Sequence, residues 1–176
     1  MGTVQPNSWA APDISDGRRS ARLRASWDGF LQARTWTHFV TLTTNERSRA
    51  AKSSMLTFST VLGAERFMGD RLYNFDARVN RALIGPKWLR RPQQRLEAVC
   101  FLEKPASNPH WHLLVNVRCN KPKKDFIAVV QKVWGDLVPV GSVDVQPISN
   151  MGALSNYVLK TKPYIGSGHR ISFLPR

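Results

Sequence analysis

Apolar and polar positions along the chain fall into seven segments of regular period. Residues 38–44, HFVTLTT, set β-formers in a row and predict a strand. From about residue 64 to 84 the apolar positions Met68, Leu72, Phe75, Val79 and Leu83 recur every three or four residues. That is one stripe of a long helix, which Gly85-Pro86 ends. Residues 96–104, LEAVCFLEK, and 110–117, HWHLLVNV, are two strands joined by a short Pro/Ser/Asn loop, a hairpin. In 123–137, KKDFIAVVQKVWGDL, the apolar residues from Phe126 to Leu137 again stand at helical spacing. Residues 141–148, GSVDVQPI, form a strand after a glycine turn. Ser149 or Asn150 can then cap a final helix, MGALSNYVLKT, which Pro163 stops.

The order is β-α-β-β-α-β-α. It predicts an α+β protein whose first six elements form a ferredoxin-like (split βαβ) antiparallel sheet with helices packed on it. The 176 residues have room for one such domain. Residues 1–26 are rich in Pro, Ser, Ala and Arg with little apolar period, so the expectation is a basic, largely flexible arm before a folded domain at 27–176.

Charge narrows the partner. Twenty-six Lys and Arg against twelve Asp and Glu give a net charge of +14, although the 42% hydrophobic content is that of an ordinary globular core. The surplus is not confined to a tail: residues 36–95 hold eleven basic and four acidic residues. Self-repulsion on this scale points to a polyanion, and nucleic acid is the usual one. Arg47, Arg49, Lys52, Arg78, Arg81 and Lys162, with Thr41 and Thr43 on the first strand, are the candidate backbone contacts. Cys100 and Cys119 make neither a disulfide framework nor a CxxC metal motif. No apolar run approaches a membrane span, and the N-terminus lacks a signal-peptide core, so a soluble cytoplasmic protein is expected.

The candidate chemistry begins with NPHWHLLV, residues 108–115. Successive strand residues face opposite ways, so His110 and His112 share a face. The hairpin loop sets Glu103 opposite His110, and cross-strand partners share a face too. Two imidazoles and a carboxylate then converge as a candidate divalent metal site, the alternative being two packed polar residues on a half-buried strand. On the last helix Met151, Leu154 and Val158 make the buried stripe, while Tyr157 and Lys160 project together one turn apart. A phenol is a poor nucleophile at its free pKa near 10, and neighbouring cations assist it by neutralising charge on the group it attacks.

Taken in order, HFVTLTT, PHWHLLV and YVLK resemble the three motifs of the HUH single-strand DNA endonucleases, in the rolling-circle replication initiator (Rep) branch. The resemblance covers about residues 37–164. It implies that His110, His112 and Glu103 bind Mg²⁺ or Mn²⁺. It implies that Tyr157 attacks a phosphodiester to leave a 5′-phosphotyrosine and a free 3′-hydroxyl, while Lys160 steadies the phosphate. The implied partner is single-stranded DNA at an origin or hairpin of a plasmid or phage. With no G-x-x-x-x-G-K-[ST] in the chain, a host helicase and polymerase would complete replication. Thr161 stands where some initiators carry a second tyrosine, which leaves one catalytic tyrosine. A single-tyrosine HUH transposase shares this motif order. From another class, a non-catalytic single-strand binding module would use the six tryptophans to stack bases.

Overall fold

The computed structural model describes residues 14–45, 61–105, 107–119, 123–160 and 171–174. The arrangement follows from the alternation HWHLLV. In β3 (His110–Asn116) the residues Trp111, Leu113 and Val115 enter one apolar cluster, while Leu114 enters another on the opposite side of the sheet. A strand apolar on both faces must be covered on both, and here it is. β3 lies at the centre of a five-stranded sheet of order β4-β1-β3-β2-β5. The partners are β1 (His38–Thr43), β2 (Glu97–Glu103), β4 (Ser142–Pro147) and β5 (Ile171–Leu174), and every neighbouring pair is antiparallel.

One face of the sheet carries α2 (Val61–Ile84) and α3 (Lys123–Leu137). The expected stripe of Met68, Leu72, Phe75, Val79 and Leu83 is buried there against Val40, Leu42, Trp111 and Leu113. Two polar ties lock this layer. The Trp111 indole N–H donates to the carbonyl of Met68 at 2.9 Å. Asn80, fully buried on α2, donates to Asp76 and accepts the backbone N–H of Leu96 at 2.8 Å, which sets where β2 begins. His38 belongs to this layer as well, its ring 4.9 Å from that of Phe126 and its Nδ1 2.9 Å from Thr37 Oγ1, which is a local structural role.

The other face carries α1 (Ile14–Gln32) and α4 (Met151–Lys160). Residues 14–26, expected to belong to an arm, are helical and continue into a segment that packs. Trp27, Phe30 and Leu31 join Phe101, Val158 and Leu159 in the second cluster. Leu23, Trp27, Phe30 and Leu31 do have helical spacing, but Arg and Ser separate them and hide the stripe. Asp28 accepts a short hydrogen bond from the buried Ser155 hydroxyl of α4 and another from Gln32 at 2.8 Å. Those two bonds, Ser155 first, hold the Asp28 carboxyl below its ordinary pKa. β5 is a second addition to the expected elements; it extends the sheet beyond β2 and sets Phe173 against Trp27, ring centroids 6.1 Å apart. The remaining elements begin and end within three residues of their expected bounds.

The turn into β4 passes very close to its neighbours. A Cβ on Gly141 would overlap the carbonyl oxygen of Thr43 and lie 2.8 Å from Trp134 Nε1. That indole N–H itself donates to the Thr43 carbonyl at 2.8 Å. Gly141→Ala must therefore push β4 or α3 away from β1, and chemical denaturation should show a loss of about 1–3 kcal/mol. A second expectation concerns Asp28. Its folded pKa is depressed, so its contribution is present above the unfolded value and lost as pH falls through the folded one. Trp27 fluorescence should report loosening of α1 only below about pH 4, and Asp28→Asn should weaken the docking at neutral pH and flatten that acid limb.

Candidate metal centre

β2 and β3 pair with Glu103 opposite His110 and Phe101 opposite His112, the register expected from the hairpin loop. His110 and His112 face away from Trp111, toward the α1 and α4 side of the sheet. Glu103 Oε2 lies 3.4 Å from His110 Nε2 and 3.6 Å from His112 Nε2. One donor atom from each of the three lies within 4.8 Å of the others, and all three residues are buried. Donors bound at about 2.1 Å to one ion stand roughly 3.0–3.4 Å apart for octahedral to tetrahedral angles. The two Glu103–histidine distances are within a few tenths of an ångström of that bite, while the widest donor pair, at up to 4.8 Å, would have to draw in around an ion.

Hydrogen bonds orient both rings. His110 Nδ1 is 2.7 Å from the carbonyl oxygen of Asn108, which can only accept. The proton therefore sits on Nδ1, and in the neutral ring Nε2 keeps its lone pair for an ion. His112 Nδ1 meets Thr41 Oγ1 at 3.0 Å. His112 Nε2 is buried without a hydrogen-bond partner. A buried polar atom left so costs about 1–3 kcal/mol, and an ion between it and Glu103 would satisfy it. The donor set, two imidazoles and a carboxylate, fits a divalent cation.

Phe39 of β1 stacks on His112, centroids 5.2 Å apart and planes 17° from parallel. Tyr157 of α4 meets both rings edge-on, 5.7 Å from His112 and 6.0 Å from Phe39. Its side is half exposed, at 51%, so a polymer can reach the phenol. Burial of the ring and then the Glu103 carboxylate push its pKa above 10. A cation beside Glu103 would offset the second of these effects.

The structure separates the other candidates. Thr41, a candidate DNA contact, lies with the cluster through its bond to His112. Thr43 bonds Asn45 at 2.7 Å and Ser142 at 2.8 Å on the rim, opposite His110 by way of the β1–β3 register. Arg78 and Arg81 are exposed on α2, which covers the far face of the sheet, so they do not share a surface with His110 and His112. A helical stripe tells which side of a helix is buried but not which face of the sheet receives it. Lys160 ends α4; its side chain, with Arg47, Arg49, Lys52 and Lys162, lies outside the described residues. Phe39 and Asp28 escaped the sequence reading. Phe39 was findable, because strand alternation places it on the same face as Thr41.

No family model matches the chain, and neither does any curated protein or solved structure. The resemblance to HUH endonucleases rests on the three sequence motifs. Among the described residues, no helix is long and apolar enough to cross a membrane.

Titration calorimetry with Mn²⁺ should give one site per chain, abolished in His112→Ala and Glu103→Gln. Thr41→Val removes only the partner of His112 Nδ1 and should weaken the ion about 10–100-fold. Unchanged affinity in all three variants would rule out this centre.

Proposed function

We propose that this protein is a metal-dependent endonuclease of the HUH replication-initiator kind, nicking and rejoining single-stranded DNA. The observation that carries the reading is the position of Tyr157. The helix that follows the last strand of the β4-β1-β3-β2 set brings a half-exposed tyrosine ring to a centroid distance of 5.7 Å from the His112 ring, at the edge of the Glu103–His110–His112 cluster. Three motifs that are weak apart meet at one place. The strand order also suits the ferredoxin-like reading, with β5 as an added edge strand.

The roles follow from the chemistry of the groups. A divalent ion, Mg²⁺ or Mn²⁺, held by His110, His112 and Glu103 would polarise the scissile phosphate. Tyr157 Oη attacks phosphorus; the Oη–P bond forms as the P–O3′ bond breaks. The phenolic proton leaves Oη, and the departing 3′ oxygen takes up a proton to become a hydroxyl. One phosphodiester replaces another, so no nucleotide hydrolysis is required. The stored 5′-phosphotyrosine permits later rejoining, and the 3′-hydroxyl can prime synthesis by a host polymerase. Phe39 and Thr41 hold the His112 ring in place from its face and its edge. Lys160, one helical turn beyond Tyr157, is assigned to the phosphate. The charge of +14 supplies attraction to the strand.

A labelled single strand bearing an origin-type hairpin, incubated with Mn²⁺ and run on a denaturing gel, should give a covalent protein–DNA band. Tyr157→Phe and His112→Ala should abolish that band with strand binding retained. Binding without any adduct, across a random pool of sequences, would instead favour a non-catalytic module that stacks bases.

A further inference from the structure

A cleft of about 320 Å³ opens beside Tyr157, between β4, the turn after it and the first turns of α4. Phe39, Ile148, Leu154 and the Tyr157 ring line it, with Gln146 and Asn150 also on its wall. Among the described residues, none that lines it carries a formal charge, in a protein whose net charge is +14. Those residues offer a phosphate no counter-charge. A flat, neutral, hydrogen-bonding group would find apolar walls and amides, and the volume is at the lower end for a ligand pocket.

The two amides have their orientations set by bonds already made. Gln146 Nε2 donates to Asp144 Oδ2 at 2.7 Å, so its carbonyl oxygen is left to accept. Asn150 Oδ1 caps α4 by accepting the Ala153 N–H at 3.0 Å, so its NH₂ is left to donate. One acceptor and one donor are what the edge of a nucleobase pairs with. We propose that this cleft receives a single unstacked nucleobase adjoining the scissile phosphate, and that Gln146 and Asn150 read its edge. This rests on the endonuclease reading for its substrate, single-stranded DNA, in which a base is already free to turn out. It gives the nicking site a sequence preference at one nucleotide next to the tyrosine.

The test uses the full chain and the single strand best retained from a random pool. An abasic site is walked through that strand, and affinity is followed by fluorescence anisotropy in EDTA. The wild type should lose about tenfold at one position, the scale of one stacked base, and little at its neighbours. Ala153→Phe, which fills the cleft from an exposed helix position, should erase that dependence, and Gln146→Ala should reduce it. Asn150→Asp keeps the cap acceptor but loses the donor, and should change which base is preferred. A flat abasic profile in the wild type, or an unaltered profile in Ala153→Phe, overturns the proposal. The two readings separate cleanly: a Tyr157 adduct with a flat profile removes the cleft and leaves the nuclease. A position-dependent profile erased by Ala153→Phe, with no adduct on any strand, keeps the base site and removes the nuclease.

Discussion

The register of β3 is the constraint on which the rest of the molecule depends. Trp111 is fully buried and bonded through its indole N–H to the carbonyl of Met68 on α2. Burying a side chain of that size contributes several kcal/mol, and a slip of one residue would turn it to the opposite face and set the histidines into the α2–α3 layer. Its two neighbours have no choice of side. His110 and His112 must face the opposite way, and the β2–β3 hairpin then brings Glu103 to them. A hydrophobic interaction on one face of the sheet thus positions the polar chemistry on the other.

That second face is assembled differently from the first. The α2–α3 side is a continuous apolar layer, whereas the α1–α4 side is apolar toward Val99 and Phe101 and polar toward Thr41 and Glu103. α4 lies along the boundary between those two regions. Val158 and Leu159 anchor it in the apolar part, and Tyr157 falls beside His112. α1 steadies it from behind through Ser155 and Asp28. Three buried ligand-type groups and a histidine nitrogen without a hydrogen-bond partner are a local cost to stability. Such a cost is tolerated where a site needs the groups more than the core does.

The legible parts were those that depend on period and on near neighbours in the chain. The α2 stripe, the hairpin register and the Tyr157 position on α4 all follow from residues fewer than eight apart. The N-terminal helix was not legible in the same way. Trp27, Phe30 and Leu31 find their partners across the fold in Phe101, Val158 and Phe173, far along the chain, while the intervening Arg and Ser residues resemble a solvated arm. Arg78 and Arg81 show the converse limit. Their exposure was evident from the helix, but their distance from the histidines depends on which face of the sheet α2 covers, and no local pattern carries that information.

By itself the chain determined its alternation. Strand period 2 put both histidines on one face with Glu103 opposite, and helix period 3.6 put Tyr157 beside the buried stripe of α4. Tertiary structure alone decided that these two local arrangements meet. The 5.7 Å between Tyr157 and His112 spans 45 residues of sequence and exists because α4 docks on the histidine face after β4 joins β1. Only packing brings Phe39 onto His112 and seats α1 against α4. The physical reason is range: backbone geometry sets where a side chain points within its own element, but only burial of shared apolar surface selects which elements face one another.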